Sequence, residues 1–150
     1  MNHDDDYPDA YLRDILTSAK TIAVVGASPR PYRPSHRVMR FLQARGYRCI
    51  PVNPNAIGPF AVGGDILGAR VYARLADIPR DVVGPVDMVD IFRRSELAGV
   101  AVDEAIAIGA KSVWMQLDVR DDAAAARAEA HGIKVVMNRC PAIEIPRLGI

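Results

Sequence analysis

Residues 21–53, TIAVVGASPRPYRPSHRVMRFLQARGYRCIPVN, constrain the fold more than any other stretch. The apolar run Ile22-Ala23-Val24-Val25 stops at Gly26. A loop dense in Pro and Arg follows, then Val38, Phe41 and Leu42 at the i, i+3, i+4 spacing of a helix with one packed side. Gly46 ends that helix, and a second apolar run ends at Asn53-Pro54. Strand, loop, helix and strand in this order present a helix N-terminus to the phosphates of a nucleotide-containing ligand. Pro34 suits the first turn, where its missing N–H would have had no partner. Two common dinucleotide determinants are missing. Only Gly26 stands where three glycines are usual, and Asn53 stands where an Asp or Glu grips the adenosine ribose. Asn offers no charged acceptor, which counts against NAD. NADP, whose 2′-phosphate takes an Arg, stays open.

The rest of the chain repeats the alternation. Tyr11, Leu12, Ile15 and Leu16 have helical spacing. VDMVDIF (86–92), residues 112–117 and residues 133–137 read as strands, each a nearly continuous apolar run. Helices are expected from Ser95, as N-cap, to 108 and from Asp121-Asp122 to Gly132, the acids suiting a positive helix end. Residues 71–72 read as a short strand and 73–78 as a short helix. Residues 54–70, rich in Gly and Pro, read as loop, and the segment after 137 as a Pro-containing tail. Continuous apolar strands alternating with helices specify an α/β fold: one doubly wound, mostly parallel sheet covered on both faces. With 150 residues, half of them hydrophobic, one domain over 11–150 is expected, with residues 1–10 loosely ordered.

A formal net charge of +1 predicts neither nucleic-acid nor membrane binding. No apolar run approaches the ~20 residues of a membrane span. The acidic start MNHDDDYPDA does not resemble a signal peptide, so a cytoplasmic location is expected. Cys49 and Cys140 lack metal-ligand spacing and read as two reduced thiols.

In such a sheet, ligands bind outside the carboxyl ends of the strands. The residues just past each strand are therefore the candidates. Gly26, Ala27, Ser28, Arg30 and Arg33 follow the first strand, with Ser35 and His36 at the next helix start. Asn53 and Pro54 follow the second strand, Phe92, Arg93, Arg94 and Ser95 the middle one, Gln116-Leu117-Asp118 the next, and Asn138-Arg139-Cys140-Pro141 the last. Gly26 permits close backbone approach. Ser28 offers a hydroxyl and an N–H, and Arg30 and Arg33 can bind phosphate bidentately. Arg40 and Arg45 read as a solvated helix face.

The segments GASPRPYRPSHRVMRFLQARGYRCIPVNP, VDMVDIFRRSE and VWMQLDVRDDAAAARAEAHGIKVVMNRCPAIE resemble the stand-alone bacterial CoA-binding proteins. Those proteins are similar to the CoA-binding domain of the succinyl-CoA synthetase alpha subunit. The likeness runs over about residues 12–146 and implies a Rossmann-like fold. It implies coenzyme A across the carboxyl edge, with its diphosphate on Gly26, Ala27, Ser28, Arg33 and Ser35-His36. It places adenosine near Asn53-Pro54 and the pantetheine arm along Phe92-Arg93-Arg94-Ser95, with Asn138-Arg139-Cys140-Pro141 matching a later signature. Asp118 departs from the pattern, which has glycine after the Gln-Leu pair, and the 58–68 stretch is longer.

No Ser/His/Asp set and no metal-ligand cluster is evident. Asp87 and Asp90, three apart on one strand, point to opposite faces and read as structural acids. The expected function is thus non-catalytic binding of coenzyme A or an acyl-CoA. An NAD(P)-binding oxidoreductase or redox-sensing domain, and a CoA-binding subunit whose protein partner supplies catalysis, are the alternatives; a homo-oligomer fits each. Cys140 reads as a small buried residue or as a thiol able to meet that of CoA, with Arg139 favouring its thiolate.

Overall fold

The computed structural model describes residues 1–55, 58 and 61–150. Five parallel strands form one sheet: β1 (Thr21–Val25), β2 (Arg48–Val52), β5 (Met88–Ile91), β6 (Ser112–Met115) and β7 (Lys134–Val136), in the order β2-β1-β5-β6-β7. Between β2 and β5 lie a small hairpin, β3 (Asp65–Ile66) with β4 (Ala69–Arg70), a 3-10 turn at Leu75–Asp77 and a short helix, α3 (Arg80–Val83). Beyond β2, Tyr72 forms a single parallel bridge to Val52, with its N–H donated to Pro51 O at 3.0 Å. That bridge is a one-residue remnant of a third strand. Counting it, the order is that of a Rossmann fold, which reverses between β1 and β5.

The pleat divides the core. Ala23, Val25, Val89, Ile91, Val113 and Met115 face α4 (Ser95–Ala107) and α5 (Asp122–Ala130). Ile22, Val24, Met88, Trp114 and Val136 face α1 (Asp9–Ser18), α2 (Pro34–Ala44) and α6 (Pro141–Leu148). Every side chain of β1 is buried, as both faces of a parallel sheet require.

Several expectations are corrected. The tail beyond 137 folds as α6, with Pro141 in its first turn and Ile145 and Leu148 buried. The 54–70 loop contains the β3–β4 hairpin; residues 56, 57, 59 and 60 of it lie outside the described residues. Ser95 does not cap α4. Its hydroxyl donates to Asp118 O (3.3 Å) and accepts from Arg120 N (3.0 Å), tying the helix start to the loop after β6. Within the first ten residues, Tyr7 and His3 make contacts to the body of the domain. Tyr7 is buried, and its hydroxyl accepts the Met137 N–H at 2.8 Å. One turn on, the Tyr11 hydroxyl accepts from Val135 N and donates to Val135 O, both at 2.9 Å. The two rings stack at 5.9 Å, and His3 bridges Tyr7 to Glu129.

The two strand acids face opposite ways, as their spacing predicts. The Asp87 carboxylate accepts the Lys20 and Thr21 N–H groups at 2.9 Å each, at the amino edge of the sheet. Asp90 has no exposed surface, and burial pushes its carboxyl well above the usual carboxylate range. Its neighbour is Gln116, whose amide nitrogen, assigned by its hydrogen-bonding surroundings, donates to Oδ1 at 2.9 Å and Oδ2 at 3.2 Å.

Candidate functional site

A groove of about 1160 Å³ crosses the carboxyl edge of the sheet, where the strand order reverses. Gly26, Ser28, Pro29, Arg30, Arg33 and Ser35 line one wall; Asn53 and Asn55 close one end. Phe92, Arg93 and Arg94 form the floor at the end of β5. Gln116, Leu117, Asp118, Val119, Cys140, Ala142 and Ile143 line the far end. A smaller crevice of about 510 Å³ lies at the opposite, amino edge. Its lysines face acids, Lys134 pairing with Asp14 and Lys111 with Asp87, so it offers little to an anion.

The first loop is held by its own polar groups. Gly26 donates its N–H to Val52 O at 2.8 Å and has φ +86°. A Cβ there would lie 2.4 Å from Phe92 O, so strand packing already requires glycine. The Ser28 N–H is donated to Ser35 Oγ at 3.0 Å, and Ser28 Oγ accepts from Arg30 N at 3.2 Å. Contrary to expectation, then, the Ser28 N–H is already used. Ser35 clamps the loop to α2, whose N-cap, Arg33, makes no side-chain cap. His36 and Arg37 donate their N–H groups to Arg33 O, whereas the Ser35 N–H has no acceptor among the described residues.

Seven candidates do not line the groove: Ala27, His36, Pro54, Ser95, Asn138, Arg139 and Pro141. Ala27 is buried, and its carbonyl accepts from Asn53 Nδ2 at 2.8 Å. His36 is buried on the core side of α2; desolvation, helped by Arg40, lowers its pKa, and its Nδ1 has no partner among the described residues. Pro54 lies in an exposed turn. Trp114 and Met115, though part of a matching segment, are wholly buried, and Trp114 Nε1 donates to Arg139 O at 2.8 Å.

Electrostatically, the groove is basic. Arg30, Arg33 and Arg93 line it and form no ion pair among the described residues, whereas Arg94 lies 3.6 Å from Glu96. The Arg30 guanidinium donates to Tyr32 Oη at 3.1 Å, and this bond lowers the Tyr32 pKa. Asn53 is spent locally: Nδ2 reaches Ala27 O, and Oδ1 accepts from Asn55 N at 2.9 Å. It is a latch between two strand ends rather than a free ribose acceptor.

Sequence reasoning underrated the far end. Asp118 holds φ +66°, the conformation natural to the glycine expected there, and its N–H is donated to Asn138 Oδ1 at 2.8 Å. Asn138 is itself left-handed at +56°. The backbone path of a glycine is therefore kept, with a carboxylate added on the groove. Ala142 and Ile143 were missed because α6 was read as a tail. Arg139 does not turn to Cys140; it reaches Asp6 at 3.6 Å and covers the Tyr7 ring at 5.1 Å. Among the described residues there is no cluster of three or more His, Cys, Asp or Glu able to hold a metal ion. Among the described residues, no helix is long and apolar enough to cross a membrane.

Fold and groove together define a Rossmann-like domain with a basic groove at its switch point. The CoA binding domain family matches residues 20–146, and the chain belongs to that family. It is 38% identical over 132 residues to the Bacillus subtilis (strain 168) protein YneT, covering 87% of this chain and 89% of that one. A hypothetical protein from Pyrococcus horikoshii OT3 superimposes with a TM-score of 0.86 at 36% identity, covering 100% of this chain and 98% of the other. The dinucleotide forming acetyl-coenzyme A synthetase 1 of Ca. Korarchaeum cryptofilum shares the fold, with a TM-score of 0.65 at 22% identity over 82% of this chain and 27% of the synthetase.

Proposed function

We propose that this protein binds coenzyme A or an acyl-CoA without transforming it. The observation that carries the reading is the convergence of Arg30, Arg33 and Arg93, with no carboxylate partners among the described residues, on a groove at the switch point of a CoA-binding-family fold. The diphosphate sits against Arg30, Arg33 and the free Ser35 N–H, at the positive end of α2. Adenosine lies towards Asn55, and the pantetheine arm crosses Phe92 and Arg93 towards Gln116 and Cys140.

Distances agree with this path. From the diphosphate oxygen to sulfur, pantetheine has the bonds of about four residues of extended chain, ~14 Å. The three strand spacings from β1 to β7 are also ~14 Å. The thiol then falls near Cys140. The alternative nicotinamide reading loses ground at Asn53, whose amide is occupied at both ends. Calorimetric titration with CoA, NAD and NADP tests the proposal: CoA binds at least tenfold tighter than either. A nicotinamide cofactor that binds tighter than CoA overturns it.

A further inference from the structure

Two of the chain's exposed large apolar side chains stand at one place. Leu117, past the end of β6, is 50% exposed, and Ile143, in the first turn of α6, is 54% exposed. Both line the groove at its far end, with Ala142 and the buried Val119 beside them. Single exposed apolar residues are ordinary on a protein surface. Here, though, two separate elements bring them to one groove, which Cys140, where the CoA reading puts the thiol, also lines. The opposite end of the groove is polar, at Asn53 and Asn55. One end thus suits a nucleotide and the other a hydrocarbon.

Charge narrows the choice. Asp118 is exposed between Leu117 and Val119 and lines the same groove, so its carboxylate adds negative charge there. A carboxylate at the end of an acyl group would meet this like charge, whereas a neutral chain meets only the apolar walls.

We propose that Leu117, Val119, Ala142 and Ile143 form an acyl subsite, so that the ligand is a thioester of CoA with a neutral, medium-length acyl chain. The proposal rests on the CoA reading and adds the class of acyl group. Leu117 and Ile143 are its specificity-determining residues.

The experiment is a calorimetric series with CoA, butyryl-CoA, octanoyl-CoA and succinyl-CoA on the whole protein, repeated on Leu117→Ser and Ile143→Ser. Each fully buried methylene is worth roughly fourfold in affinity. With walls that stay partly open, octanoyl-CoA is expected to bind about tenfold or more tighter than CoA. Its binding heat capacity should be more negative, the mark of apolar burial. Either substitution removes most of that gain, weakening octanoyl-CoA far more than CoA, and succinyl-CoA binds no tighter than butyryl-CoA. Equal affinity for CoA and octanoyl-CoA, a gain that survives both substitutions, or a preference for succinyl-CoA overturns the subsite while CoA binding stands. Failure of every thioester and of CoA to bind overturns the CoA reading and the subsite together.

Discussion

Gly26→Ala is the substitution whose cost follows most directly from the structure. At φ +86° a side chain enters the left-handed region, which costs about 1–2 kcal/mol for a residue with a Cβ. The added Cβ also lies 2.4 Å from Phe92 O and 3.1 Å from its carbonyl carbon. Neither backbone is free to retreat: Phe92 N donates to Val25 O and Gly26 N to Val52 O, each at 2.8 Å. Forcing atoms into such a space costs about 1–3 kcal/mol. The expected loss is therefore about 2–5 kcal/mol, a large share of the ~5–15 kcal/mol that holds a domain together. Gly46→Ala is the control. Gly46 has φ +94°, but a Cβ there meets nothing within 4 Å, so only the backbone term of about 1–2 kcal/mol applies. Urea unfolding followed by the fluorescence of Trp114, the only tryptophan and fully buried, reads both. With a slope of ~2 kcal/mol/M, the midpoint should drop ~1–2.5 M for Gly26→Ala and ~0.5–1 M for Gly46→Ala. Equal drops would refute the close-approach argument and leave the ligand as the reason for glycine at 26.

Other measurements reach the site and the core. Arg33→Ala removes a charge-assisted phosphate contact of about 1.5–3 kcal/mol and should weaken CoA roughly tenfold or more, an unchanged affinity placing this guanidinium in solvent. Dephospho-CoA should suffer equally if Arg33 serves the diphosphate. Burial raises Asp90, so the folded protein keeps a proton that the unfolded chain releases near pH 4. The stability this proton contributes is full below that pH and is lost as pH rises; Asp90→Asn should flatten the fall in urea midpoint above pH 4, and parallel profiles would refute it. Incubation with CoA disulfide should add one CoA mass at Cys140, releasing one CoA thiol by exchange, and Cys140→Ser should abolish the adduct. Cys49, whose thiol burial pushes up to about 12, should stay unlabelled, and labelling there instead would return Cys140 to the core.

Much of this molecule could be read along the chain because a buried parallel sheet leaves a direct trace. Residues 22–25 and 49–52 are apolar runs with punctuation at Gly26 and Asn53, and both lie in strands as read. The groove could be read for the same reason: fixing strand ends fixes the loops past them. What escaped is what tertiary contacts decide. PAIEIPRL, with two prolines, has little intrinsic reason to be helical; α6 is held by burying Ile145 and Leu148 against its neighbours. Ser95 and Ser35 sit where helix caps are expected, yet each hydroxyl bonds across to another loop. Asn53 stands in the sequence where an acid would grip a ribose, but its amide's two partners are visible only in three dimensions. Residues 1–10 look disordered by composition, since an acidic run hides the single buried ring of Tyr7.

That ring and its neighbour Tyr11 occupy the outer edge of β7, where their hydroxyls take the Val135 N–H and C=O and the Met137 N–H. Those are the backbone groups that a strand from another molecule would bind. The N-terminal segment thus occupies an edge on which another strand could pair. Trimming the chain back past Tyr11 would leave a three-residue strand bare, with Val135 and Val136 ready to template a sheet that runs from molecule to molecule. An expression strategy that cuts or crowds this end puts solubility at risk before it touches ligand binding.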